Sequence, residues 1–277
     1  MSASALPLSI DGVIVAARAA QISALDTTLT QGLGAFDTLL VEDRVARLRE
    51  RHLDRLRKTC TFLGLASPRI ERIDGWLDSY VAALPSEPLA VRTTVTRGAP
   101  GLAGRILIAA RRFDPAPAAG VTLSIEQRFA LAGDELDRHK TTSRGRYALA
   151  RESAVHGGAF DALVCHRDGD VADATSANVW ARIGAEIVTP PIERGALPGV
   201  VRAVLMEELA RTGPVVRERP LEPADLALAE EVFLTSSLHR VVGVRAIVSL
   251  VDGLPGSGGS TVQRVFDLVL AAEQRYG

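Results

Sequence analysis

Of the 32 lysines and arginines in the chain only two are lysine, Lys58 and Lys140. A guanidinium stays charged near neutral pH and is no nucleophile, whereas a lysine amine can lose its proton and attack a carbonyl. A composition that has replaced nearly every lysine by arginine therefore draws attention to those it keeps. Lys140 stands in RHKTTSRGRY, where it is either a solvated charge beside a helix or an amine retained for its reactivity.

The elements that would carry such an amine can be read along the chain. Residues 6–15 alternate as a strand, break at Asp11-Gly12 and resume as VIVAA, which predicts an opening hairpin. FDTLLV at 36–41 is a strand. Apolar residues at 53, 56, 60 and 63 predict a helix ending at Gly64. LAVRTTVTR at 89–97 and GRILIAA at 104–110 are strands around GAPG. Two prolines and a small-residue run then mark a connector, so we expect a small α+β domain over 1–112, a linker over 113–120 and a larger α+β domain over 121–277. The second domain should hold a strand from 121, a helix near 145–156, a strand meander over 160–191, a helix at 199–211, strands at 230–236 and 241–249, and a closing helix at 260–274.

Composition excludes several classes. The length of 277 residues and the 47% hydrophobic content suffice for proper cores. The formal net charge of −1, with no basic face, argues against nucleic acid or a membrane surface as partner. MSASALPLSIDG lacks the marks of a signal peptide, and no apolar run reaches the roughly 18 residues of a membrane span, so a cytoplasmic location is expected. Cys60 and Cys165 have no partner at metal-ligand spacing and read as core residues; no metal site is expected.

Lys140 is followed by DGDVADATSANVW at 168–180, TPPIERGALPGVVRAVL at 189–205 and FLTSSLHR at 233–240, and preceded by GLGAFDTLL at 32–40 and RHLDRL at 51–56. In this order the segments resemble the motifs of the class IV aminotransferases, pyridoxal-phosphate enzymes of fold type IV that include branched-chain and D-amino-acid aminotransferases and aminodeoxychorismate lyases. The resemblance covers nearly the whole chain. It implies an α+β architecture of two domains with mixed or antiparallel sheets, the cofactor at their interface, and a homodimer.

The resemblance also implies roles. Lys140 would carry the cofactor as a Schiff base and shuttle the proton of the substrate Cα. Asp173 falls where relatives present a glutamate to the pyridine nitrogen, its carboxylate set back by roughly 1.5 Å, one C–C bond. The phosphate would be bound by Arg55, which shares a helix face with His52, by the backbone amides of Val200 and Val201 at a helix start, and by Ser236 and Ser237. Many relatives have threonine where this chain has Val201. Tyr147 is a candidate donor to the cofactor's phenolic oxygen.

The substrate pocket is less defined. Phe36 and Thr38 match the strand that lines it in relatives, and Thr38 resembles the lyases. No familiar carboxylate trap is intact: the R-x-H pair of D-amino-acid enzymes is missing from GAPGLAGR, and VRTTVTR keeps arginines but not the tyrosine of the branched-chain Y-x-R. Arg92, Arg97, Arg144 and Arg146 are the candidate substitutes. The expected activity is transfer of an amino group between an amino acid, D-enantiomers preferred and (R)-amines as side substrates, and a 2-oxo acid such as 2-oxoglutarate or pyruvate. The alternatives are a 4-amino-4-deoxychorismate lyase, a pyridoxal-phosphate-binding protein without turnover and, more distantly, a hydrolase. His156-Gly157-Gly158 has no G-x-S-x-G to serve and reads as a helix end, and PGSGGS lacks the G-K-[ST] of a phosphate loop.

Overall fold

The structure, a computed structural model, describes residues 6–65 and 70–276. The first five residues of MSASALPLSIDG, part of the reading of the N-terminus, lie outside them. The chain divides into two compact units; the first runs to Asp114 and also takes in His139–Ser143 and Tyr276, and the second comprises Pro115–Arg138 and Arg144–Arg275.

The first unit is built on β1 (Leu8–Ile10), β2 (Val13–Val15), α1 (Thr27–Gln31), β3 (Ala35–Glu42), β4 (Val45–Ala46), α2 (Arg49–Phe62), α3 (Ile73–Ala82), β5 (Leu89–Val95), β6 (Gly98–Ala99), β7 (Leu102–Ala103) and β8 (Ile106–Arg111). Six strands form an antiparallel sheet in the order β2-β1-β8-β5-β3-β4. The β1–β2 turn needs left-handed backbone at both central residues, and Asp11 and Gly12 adopt it with φ of 48° and 85°. One face of the sheet is dry: Leu53, Leu56 and Cys60 of α2 meet Ala35, Val95 and Ile106, while Leu77, Tyr80 and Val81 of α3 meet Leu39, Val41, Val91 and Ile108. Tyr80 is fully buried because its hydroxyl is satisfied, donating to the Pro7 carbonyl at 2.6 Å and accepting from the Ala110 N–H at 2.8 Å.

Lys140 belongs with this first unit and not, as its place in the sequence suggested, with residues 121–277. The reason is main-chain pairing. Phe36 N–H donates to the Lys140 carbonyl at 3.0 Å, Thr142 N–H donates to Gly34 O at 2.8 Å, and Ala35 bridges Thr141. The Thr142 hydroxyl adds a bond to Gly32 O at 2.7 Å and receives one from Gly34 N–H at 3.0 Å. These residues act as a short added strand beside the start of β3.

The second unit contains β9 (Val121–Leu131), α4 (Gly145–His156), β10 (Asp161–His166), β11 (Val171–Ala174), β12 (Asn178–Ile183), β13 (Glu186–Thr189), α5 (Val200–Thr212), β14 (Val215–Glu218), α6 (Pro223–Leu228), β15 (Glu231–Ser236), β16 (Arg240–Ile247), β17 (Val251–Asp252) and α7 (Ser260–Tyr276). Its nine-stranded sheet runs β11-β10-β9-β16-β15-β12-β13-β14, with β17 paired to β16. The sheet is mixed: β9 is parallel to both β10 and β16, and β13 to β14. Helix α4 lays Tyr147, Ala150 and Ala154 on Leu131, Ala162 and Val164, and Trp180 and Phe233 stack in parallel at 5.9 Å within the sheet. The Glu231 carboxylate accepts from the N–H groups of Thr261 and Val262 at 3.0 Å, placing negative charge at the start of α7.

Candidate active site

In the first unit the chemistry gathers on the sheet face opposite α2 and α3. Side chains two apart on a strand share a face, as do directly paired residues of antiparallel neighbours. Phe36 pairs with Thr94 and Thr38 with Arg92, so these four stand together. The Lys140 amine lies 5.0 Å from the Phe36 ring centroid and the Arg92 guanidinium 3.6 Å from it. Arg92 also donates to the Thr94 hydroxyl at 3.3 Å. An amine and a guanidinium thus share one aromatic platform, with the Thr38 side chain beside them. His139 stacks on Phe62 at 3.9 Å and steadies the approach to Lys140.

Arg55 is placed from the other side of β3. Its Nε donates to Asp37 Oδ2 at 2.7 Å and its Nη2 to Asp37 Oδ1 at 2.8 Å, a bidentate pair. His52, one turn earlier on α2, brings Nδ1 to Asp37 Oδ1 at 2.8 Å. Burial alone would push the Asp37 carboxyl up, but Arg55 and His52 outweigh it and hold the group well below the usual carboxylate range. Burial keeps the His52 imidazole below its ordinary pKa, despite the carboxylate beside it. Asp37 was not among the residues expected from the sequence. Its signal was present as a carboxylate in GAFDTLL at an interior position, where a lone acid needs partners.

Arg97 points elsewhere, its Nη1 donating to the Leu63 carbonyl at 3.2 Å. It follows the end of β5 and is not part of the Phe36 platform.

In the second unit Asp173 sits on β11 and is 5% exposed. Its Oδ2 accepts from the Leu197 N–H at 3.0 Å, and its two oxygens accept from Asn178 Nδ2 at 3.1 and 3.2 Å. Burial pushes its pKa up to about 7, against the pull of the Leu197 N–H and of Arg202 and Arg144. Val200 and Val201 open α5 as predicted, both side chains buried, with Gly199 at the N-cap. Ser236 ends β15 and Ser237 follows it in a turn; the Ser236 hydroxyl accepts from His239 N–H at 3.3 Å.

The arginines after Lys140 have separate tasks. Arg144 lies 3.4 Å over the Tyr147 ring and donates to the Thr175 carbonyl at 2.9 Å; burial lowers its pKa. Tyr147 is buried under it, its phenol pushed up to about 12. Arg146 instead pairs with Asp137 at 3.1 Å, and Asp137 accepts from the Ala132 and Gly133 N–H groups, so Arg146 serves a turn. His166, Asp168 and Asp170 bring donor atoms within 4.8 Å of one another, but Arg194 pairs with both aspartates, which makes the cluster an ion-pair network.

The model of the family "Amino-transferase class IV" matches residues 34–247. The chain belongs to the class IV aminotransferases. A curated relative, a probable branched-chain-amino-acid aminotransferase of Synechocystis sp., is 27% identical over 221 residues, covering 74% of this chain and 70% of that one. Two solved structures share the architecture over almost their full lengths. One is a hypothetical aminotransferase from Mycobacterium tuberculosis in PLP-bound form, at 25% identity and a TM-score of 0.82 over 96% of this chain and 98% of that one. The other is the 4-amino-4-deoxychorismate lyase of Pseudomonas aeruginosa, at 27% identity and 0.83 over 95% and 98%. The fold is that of the type IV pyridoxal-phosphate enzymes, and pyridoxal 5′-phosphate is the cofactor of this class IV aminotransferase. Among the described residues no helix is long and apolar enough to cross a membrane.

Proposed function

We propose that this aminotransferase exchanges an amino group between D-amino acids, with (R)-amines as side substrates, and a 2-oxo acid such as 2-oxoglutarate or pyruvate. The observation that carries the reading is the pairing of Lys140 and Arg92 over one Phe36 ring: a reactive amine and a carboxylate receptor share a platform. The preference for D-donors rests on β5, which keeps Arg92 but has no tyrosine of the branched-chain Y-x-R pattern.

The residues present fit the cofactor. A buried carboxylate at Asp173 suits a protonated ring nitrogen, whose charge would offset the burial that otherwise disfavours the anion, and the amides that open α5 suit a phosphate. Lys140 would hold the aldehyde end, Asp173 the ring nitrogen, and Arg55, the Val200 and Val201 amides, Ser236 and Ser237 the phosphate. Tyr147 would donate to the phenolic oxygen. When bound, the cofactor supplies the electron sink that lets a Cα–H bond break. The protein's part would then be to hold and move protons: the Lys140 amine would take the proton from Cα and deliver it to the carbon that had carried the aldehyde, and Asp173 would keep a proton on the ring nitrogen. Arg92 binds the substrate carboxylate, with Thr38 beside it; Arg144 is the second candidate. The working form is a cytoplasmic homodimer.

The test is spectroscopic. The yellow band of the loaded protein should bleach with D-alanine more rapidly than with L-valine or L-glutamate and return with 2-oxoglutarate. A band that no amino donor changes would leave a cofactor-binding protein without turnover. Lyase activity is the second reading, favoured by Thr38 and by the likeness to the Pseudomonas lyase; pyruvate released from aminodeoxychorismate without an oxo-acid acceptor would select it.

A further inference from the structure

Asn178 has no role in the reading above, yet it bonds to Asp173 and lies against the residue that precedes Val200. It is the first residue of β12 and 5% exposed. Its Nδ2 donates to both oxygens of Asp173 and, at 2.8 Å, to the Leu197 carbonyl. Leu197 N–H in turn donates to Asp173, so the three groups close a small ring of hydrogen bonds. Two residues on, Gly199 caps α5, and a Cβ added there would run into Asn178 Oδ1. The close approach explains why glycine opens this helix. On its other edge Asn178 is paired with Thr235 in the antiparallel β12–β15 ladder, one residue before Ser236.

We infer that Asn178 is a positioning residue that fixes the Asp173 carboxylate and the amide-bearing start of α5 in one register. An amide side chain fits this task because its two N–H groups reach a carboxylate and a carbonyl at once, while its oxygen packs on a bare glycine. Aspartate would place a second negative charge against Asp173, and leucine would leave both the Leu197 carbonyl and the carboxylate short of a donor. Partners one step removed from a bound group commonly change its affinity by about 10- to 100-fold.

The inference rests on the assignment of Asp173 and α5 to the cofactor, and the experiment separates the two. Apo-protein would be titrated with pyridoxal 5′-phosphate for the wild type, Asn178→Ala, Asp173→Ala and the double variant, with inorganic phosphate as competitor. We expect Asn178→Ala to weaken cofactor binding about 10- to 100-fold, and to weaken it less when Asp173 is already alanine. Phosphate competition should weaken in Asn178→Ala and stay unchanged in Asp173→Ala, since the proposed phosphate contacts include the helix start but not the Asp173 carboxylate. Binding within twofold of the wild type, or equal losses in both backgrounds, overturns the inference. Unchanged phosphate competition in Asn178→Ala overturns its helix half. Should Asn178→Ala not fold, as judged by circular dichroism, Asn178→Ser keeps a short donor and faces the same criteria. Asp173→Ala binding as well as wild type would instead remove the assignment on which the inference stands.

Discussion

Asp37 and Arg55 face each other through two parallel hydrogen bonds of 2.7 and 2.8 Å inside the first unit, with the Asp37 side chain almost wholly enclosed. Such a fork fixes a guanidinium in plane and direction, which a single contact cannot do. The direction of the Arg55 guanidinium is thus set by the protein itself.

Replacing Asp37 by asparagine should be costly for this reason. It leaves the buried guanidinium without its counter-charge and removes an acceptor from His52, and breaking one side of a buried ion pair costs about 3–5 kcal/mol. Urea unfolding of the Asp37→Asn apo-protein measures it; a loss below 1 kcal/mol would show the pair to be incidental. Because Asp37 titrates well below its ordinary range, its stabilisation is complete above the unfolded pKa of about 4 and fades only in stronger acid.

Asp173 should act in the opposite sense. Its folded pKa of about 7 exceeds the unfolded value, so between about pH 4 and 7 the unfolded chain gives up the proton first. The apo-protein should therefore lose stability as pH rises through that window, by up to about 1.4 kcal/mol per pH unit from this group, with no further change above it. Asp173→Asn should flatten the slope. Melting curves of both proteins across the window, without cofactor, decide the point, and parallel slopes would refute it.

Lys140→Ala and Lys140→Arg should both lose the yellow band and at least about 10²- to 10⁴-fold in turnover, the usual contribution of a positioned acid–base group. Arginine keeps the charge but cannot do the chemistry, so its failure separates reactivity from electrostatics. An active Lys140→Arg enzyme would point to a hydrolase or another unrelated activity.

Arg92→Leu should raise KM for the 2-oxo acid about 10- to 100-fold, as expected for a lost charged hydrogen bond of 1.5–3 kcal/mol. Arg97→Leu should change it less than about threefold, because that side chain serves the Leu63 carbonyl. Steady-state kinetics on the two variants compare them directly; the reverse order would move the receptor to Arg97.

Much of the fold was legible because local pattern and burial agree. The 3.6-residue spacing of Leu53, Leu56, Cys60 and Leu63 marked α2, and the Asp11-Gly12 turn marked the first hairpin. Helix α3 escaped notice because Gly75 interrupts its propensity and its apolar residues Ile73, Leu77, Tyr80 and Val81 reveal their face only against the sheet. Strand β14 and the six-residue α6 were missed for similar reasons, being short and supported by neighbours distant in sequence. Lys140, Asp173 and the α5 start could be named from motifs. The side-chain pairings could not: Asp37 reaches across to Arg55 on α2, and Asn178, although it stands in DGDVADATSANVW, meets Asp173 and the Leu197 carbonyl only in the folded chain. Such pairings depend on register, which no local period encodes.

The two lysines also differ in exposure, Lys58 on the outer side of α2 and Lys140 partly enclosed at its added strand. The Lys58 bond lies inside α2 and the Lys140 bond in the pairing beside β3, so the difference is in the side chains: the Lys58 amine is the more open of the two to an amine-directed tag or bead. Peptide mapping after borohydride treatment then becomes a two-site ledger, in which mass added to the Lys140 peptide reports cofactor attachment without crowding from other amines.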